Sequence, residues 1–240
     1  VVDTFVIVEA NKTGSGIYKE FILEKYITNR FKDFNILYVK KALDEVNISN
    51  HHLMYSQREE FLVAIKSLNL SSQDIIIMSD LDEIPRESII KKIKEEGLNH
   101  KFTTLELRGF FWWFNCAFTY PENHVTFTCP VLSRYEDFIT KTMYEMRSEK
   151  DSYPRIPNGG WHFSHCGNLK QIQEKMLASS HVEYSSDTYT SIENINRRRS
   201  NFIDPYDRGF TFTVIEVNDY YPKYLLDNRN KYKEYVYGEA

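Results

Sequence analysis

Apolar residues fall in short runs separated by turn residues, and their spacing predicts alternating strands and helices. Residues 4–9 (TFVIVE) form a β-rich run closed by Asn11 and Gly14-Ser15-Gly16, the pattern of a buried strand feeding a loop. A helix is expected over 19–28 and a second strand over 35–39 (NILYV). Ser56 and Glu59 have the spacing of a capping box, and behind them Phe61, Leu62, Ile65 and Leu68 share one helical face. Residues 74–79 (DIIIMS) are nearly all apolar, as in a strand buried on both faces of a parallel sheet, and run straight into Asp80. Pro85 suits a first helical turn, with Ile89, Ile90 and Ile93 at helical spacing and Gly97 as C-terminal cap.

Repeated strand-then-helix units in the first hundred residues predict an α/β fold: a mainly parallel central sheet flanked by helices, with ligands bound beyond the strand carboxyl ends. After a strand over 102–108 the pattern loosens. The aromatic block 110–114 (FFWWF) is followed by Pro121, Pro130, Pro154 and Pro157, which predicts antiparallel strands and loops lining an acceptor side. Asn168 is placed to cap a helix carrying Leu169, Ile172 and Met176, and another helix is expected over 189–198. Without repeat or linker, residues 1–240 read as one domain, with a ligand-binding half over 1–100 and a more irregular half over 101–240.

A net charge of −4 lacks the broad basic face that binding a phosphate backbone needs, so nucleic acid is not an expected partner. The basic run Arg197-Arg198-Arg199 reads first as a solvated helix end, and otherwise as a phosphate contact. No segment approaches the roughly 20 apolar residues of a membrane span, and no signal peptide is visible. Cys116, Cys129 and Cys166 lack metal-site spacing and predict free thiols, hence a cytoplasmic setting. The sequons at Asn11, Asn47 and Asn69 point the other way, to a Golgi lumen if an N-terminal anchor has been removed. Aromatic residues, 15% of the chain, suit stacking against sugar faces, as Trp112, Trp113 and Trp161 would, or packing in a core.

Candidate chemistry concentrates at Asp80-Leu81-Asp82-Glu83. If the chain stays extended there, Asp80 and Asp82 face one side and form a hard anionic site for Mg²⁺ or Mn²⁺, which also bind diphosphate oxygens. Acids at that position also suit capping of the following helix. In residues 159–166 (GGWHFSHC) the glycines permit close backbone approach and His162 can complete a metal shell or contact a phosphate; a hydrogen-bonded core histidine is the other reading. His181 and Glu183 form a third pair, in which Glu183 can act as general base or stand as a loop carboxylate. Arg58 can meet a diphosphate or form a surface ion pair.

These motifs in this order resemble glycosyltransferase family 17. The matching stretches are residues 1–13 (VVDTFVIVEANKT), Gln57-Arg58, residues 78–86 (MSDLDEIPR), residues 160–166 (GWHFSHC) and residues 179–183 (SSHVE). The resemblance implies a GT-A-like fold, a UDP-sugar donor, a glycan acceptor, a divalent cation (Mn²⁺ or Mg²⁺) and inversion at the anomeric carbon. UDP-GlcNAc is the first donor it suggests, with another such as UDP-xylose open. It also implies that Val8, Glu9 and Asn11 lie near the nucleotide, that Asp80 and Asp82 serve metal and ribose-diphosphate, and that His162 sits beside them. The catalytic candidates are then Asp82 with Glu183 as base, and Glu106 in reserve. A non-catalytic carbohydrate-binding domain and a metal-dependent phosphoryl- or nucleotidyl-transfer enzyme share part of this pattern.

Overall fold

A computed structural model describes residues 1–43, 50–119 and 126–239; the sequon at Asn47 and Pro121 lie outside these. The strands are β1 (Phe5–Ala10), β2 (Ile36–Lys41), β3 (Ile75–Met78), β4 (Glu83–Pro85), β5 (Phe102–Phe111), β6 (Cys116–Thr119), β7 (Thr126–Arg134), β8 (Arg155–Ser164) and β9 (Thr211–Val214). The helices are α1 (Glu24–Ile27), α2 (Asn50–Lys66), α3 (Glu87–Glu96), α4 (Tyr135–Phe138), α5 (Met143–Glu149), α6 (Leu169–Ala178), α7 (Asp187–Thr190), α8 (Ile192–Ser200), α9 (Lys223–Asp227) and α10 (Arg229–Tyr232).

The fold is mixed α/β, and the expected mainly parallel central sheet is not present. The main sheet has seven strands, with the path β3-β7-β5-β6-β9 and with β8 joining β4 to β5. Its pairings are antiparallel except β5 with β8, while β1 and β2 form a separate parallel pair. The misreading has a physical cause. Residues 75–78 are apolar at every position because helices cover both faces of β3, and coverage says nothing about strand direction. Ile76 and Met78 pack toward α2, α4 and α5, whereas Ile75 and Ile77 pack with Ile90 and Ile93 of α3. On β7, Val131 and Leu132 divide between the same two cores.

Several boundaries also move. The expected helix over 19–28 shrinks to α1. Ser56 and Glu59 lie inside α2, so they do not cap it; Glu59 Oε1 instead accepts from the Tyr144 amide in the first turn of α5 at 3.1 Å. Pro85 closes β4, and Arg86 is the N-cap of α3, which ends as expected at Gly97 with φ 77°. Asn168 does cap α6, in a capping box with Gln171. The helix expected over 189–198 is broken at Ser191, which ends α7 and caps α8.

The second half of the chain buries most of its aromatic block. Phe111, Trp112 and Phe118 pack with α6 and α8, and Phe110 and Trp161 pack under the C-terminal segment with Val217, Tyr221 and Leu225. Trp112 and Trp161 are therefore core residues rather than sugar platforms.

Candidate active site

The acidic motif and the Gly-Trp-His stretch meet through β4 and β8. Glu83 pairs with His162, Ile84 with Trp161 and Pro85 with Gly160. The approach is so close that a Cβ on Gly160 would stand 2.0 Å from the Ile84 carbonyl oxygen, so no other residue fits. The Phe163 amide donates to the Asp82 carbonyl at 3.0 Å, which continues the register past the strand end.

The chain does not stay extended through the motif. The Glu83 amide bonds back to the Asp80 carbonyl at 3.1 Å, leaving Leu81 at the exposed tip of a turn and giving the two aspartates different neighbours. Arg58 Nη2 donates to both Asp80 oxygens at 3.0 and 2.9 Å, and Arg147 Nη2 donates to Asp80 Oδ2 at 3.0 Å. Arg147 Nη1 reaches Glu83 Oε1 at 3.4 Å and Cys129 Sγ at 2.9 Å. Glu83 is buried and accepts from the Asp80 amide at 2.8 Å. Burial pushes its carboxyl up, against the pull of Arg147 and with the charge of Asp80 adding to the rise. Burial likewise raises the Cys129 thiol to about 12, keeping it protonated.

Asp82 turns instead toward β8 and α6. Lys175 Nζ lies 2.5 Å from its Oδ2, and His162 Nε2 lies 3.6 Å from the same oxygen. Burial alone would raise the Asp82 carboxyl, but the nearby His162 imidazole and the Lys175 ammonium outweigh it and hold it well below the usual carboxylate range.

The donor chemistry fits a divalent cation that borrows most of its ligands. Two ligands of one octahedral ion with bonds of about 2.1 Å stand roughly 3 Å apart when adjacent, so Asp82 Oδ2 and His162 Nε2 can share one with little movement. Among the described residues no group of three or more His, Cys, Asp or Glu converges on one point. The protein part of such a site would be small, as suits an ion held chiefly by substrate phosphates and water.

The remaining candidates hold other partners. Glu9 accepts from Lys19 Nζ at 2.6 Å, the Ile22 and Leu23 amides at 2.8 and 3.1 Å, and Tyr38 Oη at 2.7 Å. Val8 accepts from Gln57 Nε2 through its carbonyl, and Asn11 Oδ1 accepts from the Leu43 amide. These residues tie β1 to its surroundings. Glu106, on β5, faces Arg155 at 4.0 Å and shares no hydrogen bond with Asp80 or Asp82. Glu183 bonds His181 Nδ1 at 2.9 Å. With Tyr184, Tyr206 and Arg208 these two line a pocket of about 160 Å³. Tyr206 Oη lies 2.8 Å from Nε2 of His165, whose ring stacks on Phe111. Burial holds the His165 imidazole well below its ordinary value. Through Tyr206 the pocket is thus tied to the residue that follows β8, three positions past His162.

The basic run is a solvated helix end only at Arg197, which is exposed. Arg198 is buried and holds Asp207 at 2.7 and 2.8 Å, and Arg199 is buried with its guanidinium 3.4 Å from the Trp113 ring centroid. The site partners missed in the sequence are Lys175 and Arg147. Neither stands in a motif, and each lies far along the chain from the aspartate it meets.

The model of glycosyltransferase family 17 matches residues 1–239, essentially the whole chain. The chain belongs to glycosyltransferase family 17. No curated protein and no solved structure matches it. As a family 17 glycosyltransferase it is a transferase working between a sugar donor and a glycan acceptor, and the polar cluster at the β4–β8 junction is its best candidate for that chemistry. Among the described residues no helix of this glycosyltransferase is long and apolar enough to cross a membrane. Its described cysteines, Cys116, Cys129 and Cys166, are free.

Proposed function

We propose that this glycosyltransferase moves a sugar from a UDP-sugar to a glycan hydroxyl, with inversion, at the cluster around Asp82. The observation that carries the reading is the convergence of a carboxylate, an imidazole and an ammonium on one partly exposed point, Asp82 Oδ2, beside a turn held by two arginines. Such a point suits a diphosphate and its counter-ion. Mn²⁺ or Mg²⁺ held by Asp82 and His162 would supply Lewis-acid neutralisation of the leaving diphosphate. Asp80, whose oxygens are taken by Arg58 and Arg147, anchors the turn that carries Asp82.

In the proposed reaction an acceptor oxygen attacks the anomeric carbon from the face opposite the diphosphate. The new carbon–oxygen bond forms as the bond to the phosphate oxygen breaks, and the electron pair leaves on UDP. The hydroxyl proton passes to a carboxylate. Glu183 is the first choice, because its pocket is tied through Tyr206 to His165, three residues past His162, and offers Tyr184 and Tyr206 as faces for a sugar; Glu106 is the second. A well-placed base contributes about 10²- to 10⁴-fold.

The test is a panel of UDP-sugars, led by UDP-GlcNAc and UDP-xylose, assayed for slow hydrolysis with Mn²⁺. The expected result is UDP release from at least one donor, lowered by about 10²-fold or more in Asp82→Asn, the scale of losing one transition-state charge contact. Release of pyrophosphate or inorganic phosphate instead would assign the site to nucleotidyl or phosphoryl transfer.

A further inference from the structure

Three cations face the three carboxylates of the acidic turn, and they differ in freedom. Arg58 and Arg147 have side chains only 19% and 16% exposed, and both hold Asp80, with Arg147 also spanning Glu83 and Cys129. Lys175 is 44% exposed, stands on the surface of α6, and its single polar contact among the described residues is Asp82 Oδ2. Arg58 is held by both oxygens of Asp80, and Arg147, locked between Asp80 and Glu83, cannot turn to a new anion without abandoning a buried carboxyl. An ammonium on a flexible four-carbon stem, already half in water, can.

We propose that Lys175 is the protein's own cation for the nucleotide diphosphate: it rests on Asp82 and passes to a phosphate oxygen when the donor binds. The proposal rests on the Asp82 cluster being the nucleotide-sugar site, and adds a residue that no sequence motif indicated. The charge argument is direct. A diphosphate arriving beside Asp82 meets like charge, and the nearest mobile positive charge is the one 2.5 Å from that carboxylate. Moving it costs little desolvation and exchanges one charge-assisted hydrogen bond for another. Binding of the diphosphate then does not depend wholly on a divalent ion, because α6 supplies part of the counter-charge.

Calorimetry of the full chain with UDP and with uridine, in EDTA and in Mn²⁺, separates the diphosphate contribution from that of the base and ribose. The wild type is expected to prefer UDP over uridine in EDTA by about tenfold or more, roughly 1.4 kcal/mol per factor of ten. Lys175→Met should erase that preference in EDTA while leaving uridine affinity unchanged, and Lys175→Arg should keep part of it. Unchanged uridine binding also shows that the variant is folded. A Lys175→Met protein with the full preference for UDP in EDTA, or a wild type with none, overturns the proposal. A chain that binds neither ligand under either condition overturns the nucleotide reading of the Asp82 cluster itself.

Discussion

Arg147 and Lys175 both answer an aspartate of the same turn, yet their environments make them opposites. Among the described residues Arg147 is the only cation bonded to buried Glu83, and removing it leaves that carboxyl beside Asp80 with no ion-pair partner of its own. Arg147→Met is therefore expected to destabilise the fold by about 3–5 kcal/mol, the cost of breaking a buried pair from one side. Adding Glu83→Gln should recover part of the loss, and urea unfolding of the single and double variants measures both. Lys175, 44% exposed and without a buried carboxyl to hold, should matter less to the fold, and Lys175→Met is expected to cost less stability than Arg147→Met. At this scale the sequence singled out Asp80, Asp82 and His162 as candidates but not what they touch. Lys175 is 93 residues from Asp82 and Arg147 is 67 from Asp80, and no local spacing encodes a contact that only the folded sheet creates.

Among the elements, β1 shows how a residue expected near the nucleotide can be committed elsewhere. Glu9 gathers Lys19, Tyr38 and the amides of Ile22 and Leu23, thereby fixing the segment between β1 and α1. Burial opposes ionisation, but these bonds outweigh it and lower the carboxyl from its ordinary 4.5 to about 2. Because the folded value lies below the unfolded one, the stabilisation is complete above about pH 4.5 and is lost as the pH falls toward 2. The stability gap between wild type and Glu9→Gln should accordingly shrink across that window in acid unfolding curves; a constant gap would show that Glu9 acts by packing alone. Elements with strong local signals were legible: β1, β3, and α6 with its Asn168 cap. Ser56-Glu59 misled because a capping box inside a longer helix looks the same as one at its start. α2 begins at Asn50, and nothing between there and Ser56 stops a helix.

For the whole molecule, strand order and direction were the illegible part. A strand covered on both faces reads as apolar whether its neighbours run with it or against it, so β3 pointed to a parallel core although it pairs antiparallel with β7. The two expected halves are also stitched together, since β3 and β4 of the first belong to the same sheet as β5 to β9 of the second. That stitching makes the candidate site: β4 brings the acidic turn to β8, and α6 brings Lys175 to Asp82. The central claim is that a nucleotide diphosphate docks at Asp82. A crystal of the chain soaked with UDP and Mn²⁺ tests it most directly. The account predicts the diphosphate beside Asp82 and His162, with Lys175 moved from the carboxylate to a phosphate oxygen. Nucleotide bound elsewhere, with the Asp82–Lys175 contact undisturbed, would contradict it.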